Sequence, residues 1–130
     1  DIAASMGLLL AYTGRPEEGI SWSQRAMRLN PGHPAWYAAN LGTAQMVGER
    51  YRDAIASFRL IANPPAWMFA YLAISLVGDG AIEEARVAAA EAMRRAPGYC
   101  VERFVRSEPF RDAGTLARLT DALKRAGFPD

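Results

Sequence analysis

The residues that could do chemistry in this chain are few and far apart. His33, the sole histidine, stands in Pro31-Gly32-His33-Pro34, and Cys100, the sole cysteine, follows Pro97-Gly98-Tyr99. A metal site needs three or four such ligands gathered together. A nucleophilic thiol needs a neighbouring base or cation to lower its pKa. Neither accompanies these residues, so His33 reads as a loop histidine and Cys100 as a small apolar side chain. The acid pairs Glu17-Glu18 and Glu83-Glu84 have the composition of a general acid–base pair. Each falls in the first turn of an expected helix, where attraction to the helix dipole accounts for it. Gly78-Asp79-Gly80 lies between two expected helices and reads as a turn rather than as a phosphate loop. No catalytic residue, metal site or cofactor is assigned.

Binding is the better prospect, and it rests on aromatic residues. Trp36 and Trp67 open corresponding helices. The same faces continue through Ala39, Thr43 and Met46 and through Ala70 and Ile74, while Leu8 and Tyr12 extend the strip into the first helix. These nine residues define an expected groove for an apolar or amphipathic segment of a protein or peptide partner. Packing of both indoles between neighbouring hairpins or against the C-terminal cap is the alternative. Arg94, Arg95, Arg103, Arg106 and Arg111 form a mild basic cluster. With 15 Lys plus Arg against 14 Asp plus Glu, the formal charge is only +1. The cluster therefore reads as solvated helix faces before it reads as a nucleic-acid surface.

The elements that position these residues recur with a period of about thirty-four residues, the spacing of stacked helical hairpins. Ala3, Met6, Gly7, Leu10, Gly14, Gly19 and Ala26 are answered by Ala38, Leu41, Gly42, Gln45, Gly48, Ala54 and Ile61. Phe69, Leu72, Ala73, Leu76, Gly80, Ala85 and Ala92 form the third copy. Small residues at Gly7, Gly42 and Ala73 and at Gly19, Ala54 and Ala85 let two helix axes cross closely. Gly14 stops a first helix and Pro16 opens the second, with acids following near its positive end. Second helices end at Asn30-Pro31-Gly32 and Ala96-Pro97-Gly98, because proline cannot continue a helix interior. Asn63-Pro64-Pro65 arrives early, so the second helix of copy two is expected about one turn short.

After Pro97 the period breaks. A short helix from Tyr99 to about Ser107 is expected, then a final one carrying Leu116, Leu119, Thr120 and Leu123 inward and Arg118, Asp121, Lys124 and Arg125 outward, ended by Gly127 and Pro129. Such a helix would cap an open array. The predicted core includes Met6, Leu10, Ile20, Leu41, Ile55, Phe58, Leu72, Leu76, Ala85, Ala89 and Leu119. Ile2 and Leu9 would face a preceding helix, so an apolar edge open to self-association is expected there.

Composition agrees with an all-α reading: 51% of the 130 residues are hydrophobic, and alanine is heavily used. No apolar run reaches the ~18–20 residues needed to span a bilayer. A lone cysteine suits a reducing compartment, and the cytoplasm is the expected location. The chain opens at Asp1 without a methionine, which reads as part of a larger protein.

Small residues at the helix crossings, a large apolar residue beside them and proline closing the second helix resemble the tetratricopeptide repeat. The resemblance covers residues 1–98, as repeats 1–33, 34–65 and 66–98, with 99–130 as capping helices. It implies an α-solenoid in a right-handed superhelix whose concave wall is built from the first helices, and a scaffolding role without catalysis. Gln45 stands where a large apolar residue is usual, and Ser23 where an aromatic often sits. The stretch Pro109-Phe110-Arg111-Asp112, Leu116 to Leu119 and Leu123-Lys124-Arg125-Ala126-Gly127-Phe128-Pro129-Asp130 is similar to tails of bacterial signalling proteins. In those, such repeats follow a class III adenylate or guanylate cyclase domain or a winged-helix regulator. That resemblance implies a regulatory or protein-binding part of a larger bacterial protein, with any cyclase catalysis outside this chain.

Overall fold

The protein is described by a computed structural model over residues 2–130, and it is all-α. The helices are α1 (Ile2–Tyr12), α2 (Pro16–Leu29), α3 (Trp36–Val47), α4 (Tyr51–Arg59), α5 (Ala66–Gly78), α6 (Ile82–Arg95), α7 (Val101–Ser107) and α8 (Ala113–Ala126). None of these helices is long and apolar enough to cross a membrane. The chain divides into two compact units, one ending at Ala62 and one beginning at Asn63, at the Asn63-Pro64-Pro65 break. Two prolines and a left-handed Asn63 (φ 49°) leave no path for a continuing helix there.

In the first unit α1 packs on α2 and α3, α2 on α3, and α3 on α4. The first hairpin is close because Gly7 and Gly19 face one another. A Cβ on Gly19 would stand 2.6 Å from the Gly7 carbonyl oxygen, and a Cβ on Gly7 would stand 2.3 Å from Ser23 Oγ. Ser23 is 1% exposed, and that crowding leaves no room beside it for a larger side chain. In the second hairpin Gly42 lies against the Phe58 ring, 2.8 Å from where its Cβ would be. Gln45, out of place in an apolar pattern, is buried, and its Oε1 accepts a hydrogen bond of 2.6 Å from Ser57 Oγ. The two polar groups satisfy each other, which is what makes their burial tolerable. Helix α4 has 9 residues against 14 in α2 and in α6, so it is short as expected.

In the second unit α5 packs on α6 and α8, α6 on α8, and α7 on α8. Residues 99–130 thus share a unit with the third hairpin. Ala73 and Ala85 are fully buried in that hairpin. Helix α8 is capped at both ends: Asp112 Oδ2 accepts from the Thr115 backbone N–H at 2.8 Å, and Gly127 takes a left-handed φ of 106°. The same hydrogen bond, with a second from the Thr115 hydroxyl, holds the Asp112 carboxyl below its usual range. The segment after α8 turns back, and the carbonyls of Pro129 and Asp130 accept from the first free N–H groups of α7, at Val101 and Glu102. Of the predicted core, Leu10, Ile20, Leu41, Ile55, Phe58, Leu76, Ala85, Ala89 and Leu119 are buried, while Met6 and Leu72 are half-buried. Leu119 and Leu123 lie inward on α8 while Asp121, Lys124 and Arg125 lie outward.

All three hairpins turn in the same way. The N–H of Arg15, Arg50 and Ala81 donates to the carbonyl five residues back, on Leu10, Gln45 and Leu76, each at 2.8 Å. The residue before each is left-handed: Gly14 (φ 82°), Glu49 (φ 61°) and Gly80 (φ 83°). The sequence reading aligned Gly48 with the two glycines, and this is corrected: Gly48 ends α3 with φ −79°, and the turn position falls one residue later on Glu49. A left-handed conformation disfavours a side chain by about 1–2 kcal/mol. Glu49→Gly is therefore expected to stabilise the first unit by about 0.5–1 kcal/mol, after the added entropy of the unfolded glycine is subtracted. Urea denaturation of the two proteins side by side reads the difference; a lower midpoint for Glu49→Gly would remove the turn from among the repeated features.

Candidate functional site

The residues weighed for chemistry in the sequence, and left unassigned there, make the following contacts. His33 lies on the loop before α3, its Nδ1 2.9 Å from the Asn30 carbonyl oxygen and its ring stacked on Tyr37 at 5.4 Å between centroids. Cys100 is the N-cap of α7, and its Sγ accepts from the Arg103 N–H at 3.5 Å. Among the described residues no group of three His, Cys, Asp or Glu could hold a metal ion. Glu17 is ion-paired with Arg50 at 3.1 Å, and Arg50 is raised above the usual arginine range mainly by the hydrogen bond from its guanidinium to Glu17. Glu18 pairs with Arg15 within the same turn, and Glu83 with Arg86 at 3.9 Å. Gly78 ends α5, and Asp79 and Gly80 belong to the turn that leads to α6.

The basic cluster is largely engaged by acids and rings. Arg94 and Arg95 both grip Glu91, whose carboxyl is pulled down to about 2, first by the hydrogen bond from Arg94 and then by that from Arg95. Arg95 also donates to the Pro64 carbonyl at 3.1 Å and lies over the Phe69 ring. Arg106 pairs with Glu102 at 3.2 Å. Arg103 lies 5.3 Å from the centre of the Tyr99 ring, within cation–π range.

The nine groove residues divide by exposure. In the first unit Ala39, Thr43 and Met46 are buried, Leu8 and Tyr12 are half-buried, and Trp36 is 43% exposed. In the second, Ala70 and Ile74 are buried and Trp67 is 37% exposed. Ala39, Thr43, Met46, Ala70 and Ile74 thus have almost no surface to offer a partner. Thr43 also spends its hydroxyl on the Ala39 carbonyl at 2.9 Å. The two indoles keep their surface because each stands at the start of its helix, supported edge-on by a buried tyrosine: Trp36 by Tyr37 at 4.4 Å and Trp67 by Tyr71 at 5.2 Å. At the expected N-terminal edge Leu9 is 55% exposed, and the side chain of Ile2 lies outside the described residues.

The second unit holds a cleft of about 300 Å³ lined by Pro65, Ala66, Trp67, Tyr99, Arg103, Ser107 and Glu108. Trp67 forms one wall from the start of α5. Tyr99, which precedes α7, and Arg103 and Ser107, which lie on it, also line the cleft. Glu108, the C-cap of α7, accepts a hydrogen bond from the hydroxyl of the fully buried Tyr71. Burial raises the Glu108 carboxyl above its usual range, and the Tyr71 hydrogen bond only partly offsets this. The Tyr99 hydroxyl is raised as well, chiefly by burial and next by the Glu108 charge. Of this lining, Trp67 is a groove residue in the sequence reading and Arg103 only a member of its basic cluster. Helical spacing could not have found this set, because α7 begins only at Val101 and Tyr99 lies outside it.

No protein-family model matches the chain, and comparison with curated proteins gives no match.

Proposed function

We propose that the chain is a non-catalytic protein-interaction module, a tetratricopeptide-like α-solenoid serving as the regulatory or scaffolding part of a larger bacterial signalling protein. One observation carries this reading: Trp36 and Trp67 occupy the first turn of corresponding helices, each partly exposed and each braced by a buried tyrosine. A rigid indole held out from a well-packed base has the character of an interface anchor, because little side-chain entropy remains to be lost on binding. The identical turns of the three hairpins support the repeat reading, and the ion-paired acids leave little for a catalytic one. A partner segment would be apolar or amphipathic, and in each unit it would meet the exposed indole rather than the buried remainder of the strip.

The test compares wild type with Trp36→Ala and Trp67→Ala in capture from a bacterial lysate. Both variants are expected to keep their helical circular dichroism and to lose the same captured protein, by at least about 1 kcal/mol, or roughly fivefold, for each anchor. Loss of helix instead would make the indoles packing residues. Unchanged capture by both variants would move the binding surface elsewhere.

A further inference from the structure

The cleft of the second unit holds two opposite charges that do not satisfy one another. The Glu108 carboxyl takes a hydrogen bond from Tyr71, and no arginine or lysine among the described residues pairs with it. Arg103 rests on the Tyr99 ring while its backbone N–H goes to Cys100, and its guanidinium meets no carboxylate there. Trp67 lines the same cleft, 37% exposed, its ring braced by Tyr71. The volume of about 300 Å³ is at the small end of ligand pockets, the size of an amino acid rather than of a nucleotide. A ligand with one charge would satisfy one of these groups and meet the other as a like charge. A ligand carrying both charges satisfies both, and an apolar side chain on it would cover the indole.

We infer that this cleft binds a small zwitterion of the α-amino-acid type with an aromatic side chain. Arg103 receives its carboxylate, Glu108 its ammonium group, and Trp67 its ring. The inference goes beyond the interaction reading; it shares Trp67 with that reading but rests on Arg103 and Glu108, which that reading does not use, so the charge dependence of the probes tests it separately.

Three probes of nearly equal shape separate the charges: L-phenylalanine, phenethylamine with the cation only, and 3-phenylpropionate with the anion only. Each is titrated into the full chain while the indole N–H signal of Trp67 is followed by NMR. L-Phenylalanine is expected to shift that signal saturably, with a Kd on the order of millimolar. Each singly charged probe should bind about tenfold more weakly, the equivalent of one charge-assisted hydrogen bond. Glu108→Gln keeps an acceptor for Tyr71, so the fold is retained. It should weaken L-phenylalanine about tenfold and leave 3-phenylpropionate no weaker, because that probe loses a like charge and no partner. Arg103→Gln should weaken L-phenylalanine equally and leave phenethylamine no weaker, because that probe too loses a like charge and no partner. Either singly charged probe binding as tightly as L-phenylalanine would overturn the inference, as would no saturable shift with any of the three.

Discussion

Tyr71→Ala is expected to cost the second unit about 3–5 kcal/mol, the range for removing a large aromatic side chain from a packed core. Tyr71 has no exposed surface, and its ring lies 5.9 Å from Phe110, 6.1 Å from Phe104 and 5.2 Å from Trp67. Phe104 and Phe110 stack on each other at 6.0 Å. The substitution would empty the centre of this cluster and also strip the half-buried Glu108 carboxyl of its donor. A small domain has about 5–15 kcal/mol in total, so most of the unit's margin would go. Amide hydrogen exchange reads the loss where it occurs, with faster exchange expected across α5, α6 and α8. Tyr71→Phe separates the two roles: it keeps the ring, removes the hydroxyl, and is expected to cost about 1 kcal/mol. If the alanine variant lost no more protection than the phenylalanine variant, the ring would not be the anchor of the unit.

That cluster was largely invisible in the sequence. The hairpins were legible because their constraints are periodic: a glycine or alanine is required wherever two helices cross, and Gly7, Gly19, Gly42, Ala73 and Ala85 announce those places. The early end of α4 followed from proline chemistry, and α8 followed from its amphipathic spacing and its stop at Gly127. The region around Phe104 and Phe110 carries no period. Phe104 lies on a helix of 7 residues and Phe110 on an irregular stretch, so neither belongs to a pattern long enough to predict burial. The shift of the second turn from Gly48 to Glu49 has a similar cause. Glycine is the preferred left-handed residue, and a glutamate in that place gives no sign of itself.

The candidate binding residues were legible in type but less so in exposure. Periodicity assigns a residue to a helix face, and it does not say whether that face is covered. Ala39, Thr43, Met46, Ala70 and Ile74 share faces with Trp36 and Trp67, yet they lie deeper along their helices, where burial is complete. The tryptophans escape because they stand at the first helical turn. The cleft joins residues from the start of α5 to residues around α7, some 35–40 positions away in the chain, and pairing at that range is set by tertiary packing. Gln45 and Ser23 teach the same point from the other side. Both break the apolar pattern, and the hydrogen bond to Ser57 and the crowding beside Gly7 involve partners from a second helix.

Gly19→Leu is expected to destabilise the first unit by about 3 kcal/mol. Two effects oppose each other at this position. Within a helix, leucine is favoured over glycine by somewhat under 1 kcal/mol, so an uncrowded Gly19 would gain from the change. Here the new Cβ would stand 2.6 Å from the Gly7 carbonyl oxygen and 3.3 Å from the Ala11 nitrogen, both of them backbone atoms of α1. A flexible side chain could swing aside from such a contact, but the backbone of a helix can yield only if α1 as a whole moves off α2. That movement would open the Gly7–Ser23 contact and the packing of both helices on α3. Sterics therefore win over propensity. Gly32 is the control, since a Cβ there meets nothing within 4 Å, and Gly32→Ala should stay within about 0.5 kcal/mol of wild type. Urea denaturation combined with amide exchange in α1 and α2 measures both variants. A Gly19→Leu protein as stable as Gly32→Ala would mean that the first hairpin does not cross where its glycines meet.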